Sequence, residues 1–349
     1  MFAWLFGTAA VSNNALKFKR VVAHRGLHDP QLEESRFAKG TSQRVPAEGL
    51  VLPVENSLMA YRSAWAMGFF LAECDVTSTV DGEVFLLHDE TFERVGALDG
   101  NPLNKKQATD LTSKELATIR LRDDSPVPTL LEVLELARKM SSPHEPPKQM
   151  VVEFKQDGMF PSANSAEPTQ SETDKHLALV KRVVSLVTDD LFVKHPEALQ
   201  HVGLMFTFGP EIVRLLCEWK LRTGNTVPVM LLTEGSRMLP QNKSFSLQLG
   251  NDESVARAVV YHREYKGQLD GLFVEFENDM LVSGSPVQRN LIELIKHMKV
   301  GVWFYEDQVD GLGQQLDNGT MLDRPCYEYL LELGVWLVNA NIQQKDGNQ

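Results

Sequence analysis

The feature that most constrains the fold of this chain is a series of eight short apolar, β-branched segments separated by amphipathic stretches. Such alternation is expected where parallel strands are connected by helices. The eight predicted strands are residues 21–24, 70–76, 150–155, 202–206, 227–232, 272–275, 300–305 and 335–339. Because the glycine fingerprint of a dinucleotide-binding sheet is absent, we expect an α/β fold that closes into a (β/α)8 TIM-type barrel.

Helical periodicity supports this architecture in two of the connecting segments, residues 56–68 and 129–140. Residues 28–52, 141–148 and 157–174 are expected to be loops. With 349 residues, 43% of them hydrophobic, the chain is long enough to bury a large core without disulfides. We therefore expect residues 1–349 to form a single domain.

Residues 1–20 form a predicted N-terminal arm whose first eleven residues are apolar. This apolar stretch is about half the ~20 residues of a membrane-spanning helix, and it lacks the basic start of a signal peptide. We expect the arm to pack against the domain. Weak contact of residues 1–11 with a membrane surface is the alternative.

The charge balance argues against a nucleic-acid partner, because 35 basic and 47 acidic residues give a net charge of -12. The cysteines, Cys74, Cys217 and Cys326, show neither the spacing of a zinc site nor that of a disulfide framework. This usage favours a reducing compartment. We expect a cytoplasmic protein, with peripheral membrane association as the alternative.

A hairpin is predicted directly after the second strand. Asp81-Gly82 connects residues 70–79 to a strand-like segment, residues 83–88, which is too short a connection for a parallel crossover. If Val80 pairs with Glu83, His88 lies opposite Asp75. The turn is thus expected to bring an imidazole and a carboxylate together.

Two of the predicted apolar strands contain acidic residues. Glu73 and Asp75 share one face of the second strand, whereas Cys74 faces the opposite way. Glu153 ends the next apolar strand, and Lys155 lies on the same face as Glu153. Carboxylates that face a barrel interior need a cation between them, so this pattern indicates a metal site beside a phosphate-binding ammonium group.

His24 and Arg25 end the first strand, just before Gly26. A single histidine at a strand end is more often a packing residue. Together with the acids and His88, however, His24 and Arg25 suit phosphodiester cleavage. Arginine offers a planar fork to phosphate, and two histidines can divide the acid and base roles near neutral pH.

At this point a set of motifs resembles the glycerophosphodiester phosphodiesterases. The motifs are His24-Arg25-Gly26, Glu55-Asn56, Glu73-x-Asp75, Asp81-Gly82, His88-Asp89, Val127-Pro128-Thr129-Leu130, Glu153-x-Lys155, Phe206-Thr207-Phe208 and Val302-Trp303. Each motif alone is weak, but the set is specific.

The resemblance implies a (β/α)8 barrel that binds Mg²⁺ or Ca²⁺ through oxygen ligands at its strand ends. The implied metal residues are Glu73, Asp75 and Glu153, with Glu55 as a further ligand or a support behind the ligands. The other implied roles are general acid and base for His24 and His88, substrate binding for Arg25, Lys155 and Trp303, and hydrogen-bonding support for Asn56. The resemblance leaves open which histidine is the acid, and whether water or a substrate hydroxyl is the nucleophile.

Two departures from the family pattern bear on substrate choice. The long connection between His24 and Glu55 indicates that residues 27–54 are an inserted loop over the site. Phe304-Tyr305-Glu306 follows Trp303, and the last strand contains Trp336. These aromatic residues are expected either to widen an apolar pocket or to pack in the core.

The expected activity is metal-dependent hydrolysis of a small glycerophosphodiester to glycerol phosphate and an alcohol. One alternative is a lysophospholipase D-like activity on lysophospholipids, which the apolar arm and the added aromatic residues favour. An alternative from another class is a phosphate-ligand-binding barrel without turnover. The two histidines beside the acids favour an enzyme.

Overall fold

Eight parallel strands close into a barrel in a computed structural model that describes residues 19–28, 53–98, 100–155, 170–233, 246–304 and 326–340. In these ranges the sheet has nine strands, in the order β1-β9-β8-β7-β6-β5-β4-β2-β3, and β1 also pairs with β2 to close the ring. The strands are β1 Val21–Ala23, β2 Leu71–Ser78, β3 Val84–Leu86, β4 Gln149–Phe154, β5 Val202–Thr207, β6 Val229–Leu232, β7 Gly271–Glu275, β8 Lys299–Trp303 and β9 Leu337–Ala340. β3 is antiparallel to β2 and lies outside the ring. The predicted (β/α)8 fold is confirmed.

Helices connect the barrel strands. They are α1 Leu58–Ala66, α2 Ser113–Leu116, α3 Leu130–Met140, α4 Gln170–Ser185, α5 Phe192–Lys194, α6 Pro210–Thr223, α7 Asp252–Glu264, α8 Pro286–His297 and α9 Cys326–Leu333. Both helices predicted from periodicity, α1 and α3, are present. Each begins at a side-chain cap, Ser57 for α1 and a Thr129–Glu132 capping box for α3.

The predicted boundaries agree closely with the observed ones. All eight predicted barrel strands are present, and no boundary differs by more than two residues. The predicted loop at 141–148 is also found. The loop predicted at 157–174 is wrong at its end, because α4 already begins at Gln170. The predicted N-terminal arm, the inserted loop and the loop at 28–52 lie largely outside the described residues, and the single-domain interpretation stays a prediction.

Alternation along the strands separates two apolar layers. The barrel interior is filled by a cluster of inward-facing side chains, Val22, Leu71, Val151, Leu204, Phe206, Met230, Leu232, Phe273 and Leu337. Residues between them in sequence, such as Cys74 and Val152, pack outward against the helices. Toward the carboxyl ends of β2 and β4 the inward positions become acidic. The polar site therefore lies at the end of the barrel where TIM-barrel chemistry is found.

The hairpin after β2 is confirmed, but its predicted register is wrong by one residue. β2 and β3 pair Val76 with Leu86, Thr77 with Phe85 and Ser78 with Val84. The turn has three residues, 80–82, and ends at Gly82 with φ 99°. Such a loop is a type I turn followed by a left-handed residue, a position that glycine occupies without steric cost.

As a consequence, the Leu87 amide donates to the Asp75 carbonyl at 3.1 Å, so Leu87 and not His88 lies opposite Asp75. The chain between β3 and α3 then forms a satellite hydrophobic cluster of its own. Within it the rings of Phe85 and Phe92 stack with centroids 6.1 Å apart. This cluster gives the residues that follow His88 a fixed position beside the barrel mouth.

All three cysteines are buried. None of the helices in the described ranges is long and apolar enough to cross a membrane. The cytoplasmic location stays a prediction.

Candidate active site

Three carboxylates meet at the carboxyl ends of β2 and β4. Asp75 and Glu153 are paired in the parallel register of the two strands, and Glu73 is one inward position before Asp75. One oxygen of each residue lies within 4.8 Å of the others. Glu73 and Asp75 are fully buried, and Glu153 is nearly so. The structure therefore brings together the three main metal ligands predicted from the sequence.

The electrostatics of the three acids differ. Burial raises the pKa of Glu73 well above its usual range, and repulsion from Asp75 and Glu153 adds to this effect. Burial also raises the pKa of Glu153. Burial acts in the same direction on Asp75, but Lys155, His88 and Arg25 outweigh it and hold the Asp75 pKa below its usual value. Without a cation, Glu73 is the acid most disposed to keep a proton.

Two carboxylate oxygens of the group fit a cation. Glu73 Oε1 and Asp75 Oδ1 are buried and accept no hydrogen bond from the residues that the structure describes. Lys155 Nζ lies 3.3 Å from Asp75 Oδ1, an ion-pair distance. Buried oxygens that lack donors are costly, and hard divalent cations bind such oxygens. The donor set is therefore suited to a divalent metal ion.

Two cationic side chains flank the carboxylates. The Arg25 backbone N–H donates to Glu73 Oε2 at 2.9 Å, and Arg25 Nε lies 3.4 Å from Asp75 Oδ2. From the other strand, Lys155 Nζ lies 3.5 Å from Glu153 Oε1. Both cations are thus held at the edge of the acidic group, where they can meet the oxygens of a phosphate.

Arg25 reaches this place through an unusual backbone turn after β1. Arg25 has φ 51° and Gly26 has φ 82°. A Cβ atom on Gly26 would lie 2.8 Å from the Ala60 backbone of α1. Only glycine allows this close approach in a left-handed conformation, which explains the glycine in the His-Arg-Gly motif.

Asn56 supports the carboxylates through Asp75. Its Nδ2 donates to Asp75 Oδ2 at 2.9 Å, and its Oδ1 accepts from the Asp75 backbone N–H at 3.3 Å. The Tyr61 hydroxyl of α1 donates to the same Oδ1 at 2.7 Å. Asn56 is thus hydrogen-bonded to Asp75, and Tyr61, a buried residue of α1, holds Asn56 in turn.

The two predicted catalytic histidines both lie at this site. His24 Nε2 is 3.8 Å from Glu73 Oε2. His88 Nδ1 is 2.8 Å from Asp89 Oδ1, and His88 is close enough to Asp75 to contribute to its lowered pKa. His88 therefore reaches Asp75 by following the hairpin strand and not by direct cross-strand pairing.

Glu55 takes part in a different set of contacts. Both of its oxygens accept from Arg94, each at 2.6 Å, and Glu55 Oε1 also lies 3.3 Å from Arg25 Nη1. Burial raises the pKa of Glu55, but Arg25 and Arg94 outweigh burial and hold this pKa well below its usual range. The structure thus places Glu55 in an ion-pair array beside the three carboxylates.

Comparison with known proteins connects this geometry to a family. Residues 38–208, about half of the chain, match the sequence model of the glycerophosphoryl diester phosphodiesterase family. The chain belongs to this family. It is therefore a phosphoric diester hydrolase. The matched segment contains Glu73, Asp75 and Glu153 but begins after His24 and Arg25, which the barrel closure brings to the same site.

Solved structures share the fold of this glycerophosphodiester phosphodiesterase-family chain. A glycerophosphodiester phosphodiesterase from Parabacteroides distasonis ATCC 8503 is 16% identical, with 93% of each chain covered and a TM-score of 0.51. A proposed glycerophosphoryl diester phosphodiesterase from Silicibacter pomeroyi DSS-3 is 15% identical, with 93% of this chain and 90% of that chain covered and a TM-score of 0.53. At such identities the likeness shows the fold. A search of curated proteins found no significant match.

Aromatic residues lie at the carboxyl ends of β5 and β8. Trp303, predicted to bind substrate, lies edge-on to Phe208 with ring centroids 5.7 Å apart, and its indole N–H donates to the Thr233 carbonyl at 3.3 Å. The rings of Phe206 and Phe273, which belong to the interior cluster, have centroids 5.3 Å apart. Phe208 and Trp303 are only partly buried, and they lie at the carboxyl ends of β5 and β8, the end of the barrel that carries the acids.

Two of the other added aromatic residues, Phe304 and Trp336, pack away from the carboxylates, and Tyr305 lies outside the described residues. Phe304 stacks on Phe276 with centroids 4.4 Å apart, in the layer between barrel and helices. Trp336 lies just before β9, at the opposite end of the barrel from the acids, with Lys299 Nζ 4.5 Å from its ring centroid. For these two residues the core-packing alternative is the correct one.

Sequence reasoning missed two charged residues of the barrel mouth. Glu275 ends β7 facing inward and is nearly fully buried. The signal that identified Glu153, an acid that closes an apolar strand, also applies to Glu275. Arg94 lies in a segment without periodicity, where no local pattern predicts its contacts with Glu55 and Asp89.

Proposed function

We propose that this protein hydrolyses glycerophosphodiesters to glycerol phosphate and an alcohol, with Mg²⁺ or Ca²⁺ held by Glu73, Asp75 and Glu153. The observation that carries the proposal is the buried three-carboxylate group, two of whose oxygens accept no hydrogen bond from the described residues, beside Arg25. The dianionic phosphate of the product needs positive charge nearby, and a bound cation together with Arg25 would provide it. A bound divalent cation supplies Lewis-acid polarisation of a phosphoryl oxygen.

The protein's own cations bind and orient the phosphate in this proposal. Arg25 offers a planar fork from β1, and Lys155 offers a point charge from β4. Because backbone and carboxylate contacts hold Arg25 in place, little side-chain entropy is lost when phosphate binds. The substrate is thus positioned between two strands that the barrel has already fixed.

His24 and His88 handle the protons. One histidine takes a proton from the attacking water or substrate hydroxyl, and the other gives a proton to the departing alcohol oxygen. The contact of His88 Nδ1 with Asp89 favours the tautomer that carries its proton on Nδ1, which leaves Nε2 for proton transfer. The pair therefore supports a proton-transfer role for His88.

The metal requirement is tested by exhaustive chelation followed by addition of single metals. We expect chelation to abolish activity and Mg²⁺ or Ca²⁺ to restore it, whereas Zn²⁺ should serve poorly because the three ligands are all carboxylates. Full turnover by the chelated enzyme would refute the metal assignment.

The histidine roles are tested by His24→Ala and His88→Ala. Each variant should fold and bind metal, yet lose roughly 10²-fold or more in kcat, the usual scale for removing general acid–base catalysis. His201→Ala is a control, because His201 contacts the Lys148 carbonyl near the opposite end of β4. A near wild-type rate for either site variant would return that histidine to a packing role.

The substrate class is tested by mass spectrometry of products over a panel from glycerophosphocholine to lysophosphatidylcholine. Release of glycerol phosphate from the short diesters supports the proposal. Faster turnover of lysophospholipids would instead favour the lysophospholipase D-like alternative, for which the partly exposed Phe208 and Trp303 are the supporting observation. Turnover of an analogue that lacks the neighbouring glycerol hydroxyl would show that water attacks, whereas a cyclic glycerol phosphate among the products would show attack by the substrate hydroxyl.

A further inference from the structure

Arg94 lies between two pairs of residues at the site, His88 with Asp89 and Glu55 with Arg25, and it contacts one acid of each pair. Its chain neighbours Phe92 and Val95 are buried in the satellite cluster, which anchors the backbone on both sides. Its side chain is only 8% exposed. We propose that Arg94 is a positioning residue that locks the His88–Asp89 pair to Glu55, and through Glu55 to Arg25. This inference rests on the proposed function of His88 in proton transfer.

The contacts of Arg94 use two edges of one guanidinium group. Toward Asp89, Nε donates to Oδ2 at 2.7 Å and Nη2 donates to Oδ1 at 3.2 Å. Toward Glu55, Nη1 donates to Oε2 and Nη2 to Oε1, both at 2.6 Å. Two bidentate ion pairs at hydrogen-bonding distance require the fixed planar guanidinium group of arginine. A lysine ammonium keeps the charge but cannot hold both carboxylates in this geometry.

On the His88 side, Arg94 fixes the orientation of the partner that orients the imidazole. Asp89 Oδ1 is shared by Arg94 Nη2 and His88 Nδ1, the latter at 2.8 Å. With both oxygens of Asp89 held, the imidazole keeps Nδ1 toward Asp89, which leaves Nε2 for proton transfer. Loss of Arg94 would remove two hydrogen bonds that orient Asp89, and the catalytic nitrogen would sample unproductive directions.

On the phosphate side, Arg94 acts through Glu55. Glu55 Oε1 receives Arg94 Nη2 and also lies 3.3 Å from Arg25 Nη1, so one fixed carboxylate orients the fork of Arg25. Arg94 also balances the charge of Glu55, which is nearly fully buried. Arg94 itself touches none of the three metal-binding carboxylates in the described contacts, so it positions groups without holding the metal.

The test compares Arg94→Ala and Arg94→Lys with Arg120→Ala. Arg120 lies in the same segment but is exposed, and among the described residues its side chain donates to the carbonyls of Ala117 and Ile119, so it is a matched control. We expect kcat to fall about 10–100-fold for both Arg94 variants, the usual scale for residues that orient catalytic groups, with a smaller change in KM. Metal affinity, measured by calorimetry, should stay within about threefold of wild type, less than such residues cost when they support ligands.

Chemical rescue distinguishes positioning from a general loss of stability. Adding ~20 mM guanidinium chloride, far below denaturing concentration, should restore several-fold activity to Arg94→Ala but not to His88→Ala or Arg120→Ala. A folded Arg94→Ala enzyme that is not rescued would overturn the proposal. If Arg94→Ala does not fold, Arg94→Lys decides, and a kcat within twofold of wild type would overturn it.

The same experiment separates this inference from the proposed function. If His88→Ala is impaired while both Arg94 variants turn over normally, Arg94 has no positioning role and the role of His88 stands. If His88→Ala itself turns over at the wild-type rate, the proposed role of His88 fails, and the positioning role of Arg94 fails with it.

Discussion

At the scale of single residues, the alternation of side chains along β2 decides which of them face the candidate active site. Glu73, Cys74 and Asp75 are consecutive, yet the two acids point into the barrel mouth and the thiol points outward into the layer beneath the helices. All three are fully buried, so burial alone does not distinguish them. Their surroundings differ because alternate residues of a strand face opposite ways.

Conservative substitutions of these three residues should distinguish the inward face of β2 from its outward face. Glu73→Gln and Asp75→Asn keep the side-chain size but remove a ligand charge, so both should weaken metal binding and stop turnover while the fold persists. Cys74→Ala removes a small buried group and should cost roughly 1 kcal/mol of stability while it spares activity. Calorimetric metal titration, kinetics and denaturant unfolding measure the three effects.

The opposite result would be informative as well. Activity that depends on Cys74 but tolerates Glu73→Gln and Asp75→Asn would require β2 to be shifted by one residue, which would exchange its two faces. The site assignment would then be wrong as a whole.

At the scale of elements, α1 and β2 are joined by a chain of hydrogen bonds. The Tyr61 hydroxyl on α1 holds Asn56, and Asn56 holds both the side chain and the backbone of Asp75. Asn56 has φ 55°, a left-handed conformation that asparagine tolerates better than most residues. The helix thus fixes the rotamer of a carboxylate on the strand.

Tyr61→Phe tests this link because it removes one hydroxyl and keeps the ring. Asn56 loses a 2.7 Å donor, so we expect metal affinity or kcat to fall about 10-fold, with a stability cost of about 1 kcal/mol. Tyr261→Phe on α7, which removes a 2.9 Å hydroxyl contact to Tyr265 just after that helix, is the matched control and should leave metal binding unchanged. Equal metal affinity in the two variants would show that Tyr61 serves packing alone.

At the scale of the whole molecule, the acidic group couples stability to pH and, in the proposed function, to metal binding. Burial raises the pKa of Glu73 above its ordinary value of 4.5, so the folded metal-free protein binds this proton more tightly than the unfolded chain does. That contribution to stability is fully present below pH 4.5 and is lost as pH rises through the folded value. A bound cation requires the deprotonated carboxylates and therefore acts in the opposite direction.

The increase in Tm caused by Mg²⁺ or Ca²⁺ should therefore grow as pH rises from 5 toward neutrality. Saturation at about 100 times Kd should stabilise the fold by roughly 2.7 kcal/mol at neutral pH. Thermal unfolding with chelator or metal at several pH values measures this difference. Glu73→Gln should remove most of the metal effect and stabilise the chelated protein. A metal effect that does not change with pH would contradict the raised pKa of Glu73.

The sequence by itself determined what depends on local pattern. The apolar runs predicted all eight barrel strands, and strand alternation placed Glu73 and Asp75 on one face and Cys74 on the other. Such features follow from a period of two residues and from β-branched composition, which the chain carries within each segment. The acid that closes β4, Glu153, was predicted in the same way.

Only the tertiary structure decided the contacts between segments. The hairpin register shifted by one residue because a left-handed Gly82 made the turn three residues long. Glu55 met Arg94 and Arg25 instead of the three carboxylates, because the satellite cluster fixes Arg94 beside the barrel mouth. Closure between β1 and β2 set Arg25 against Asp75, 50 positions away in sequence. Pairings over such separations depend on packing between elements, which no local pattern encodes.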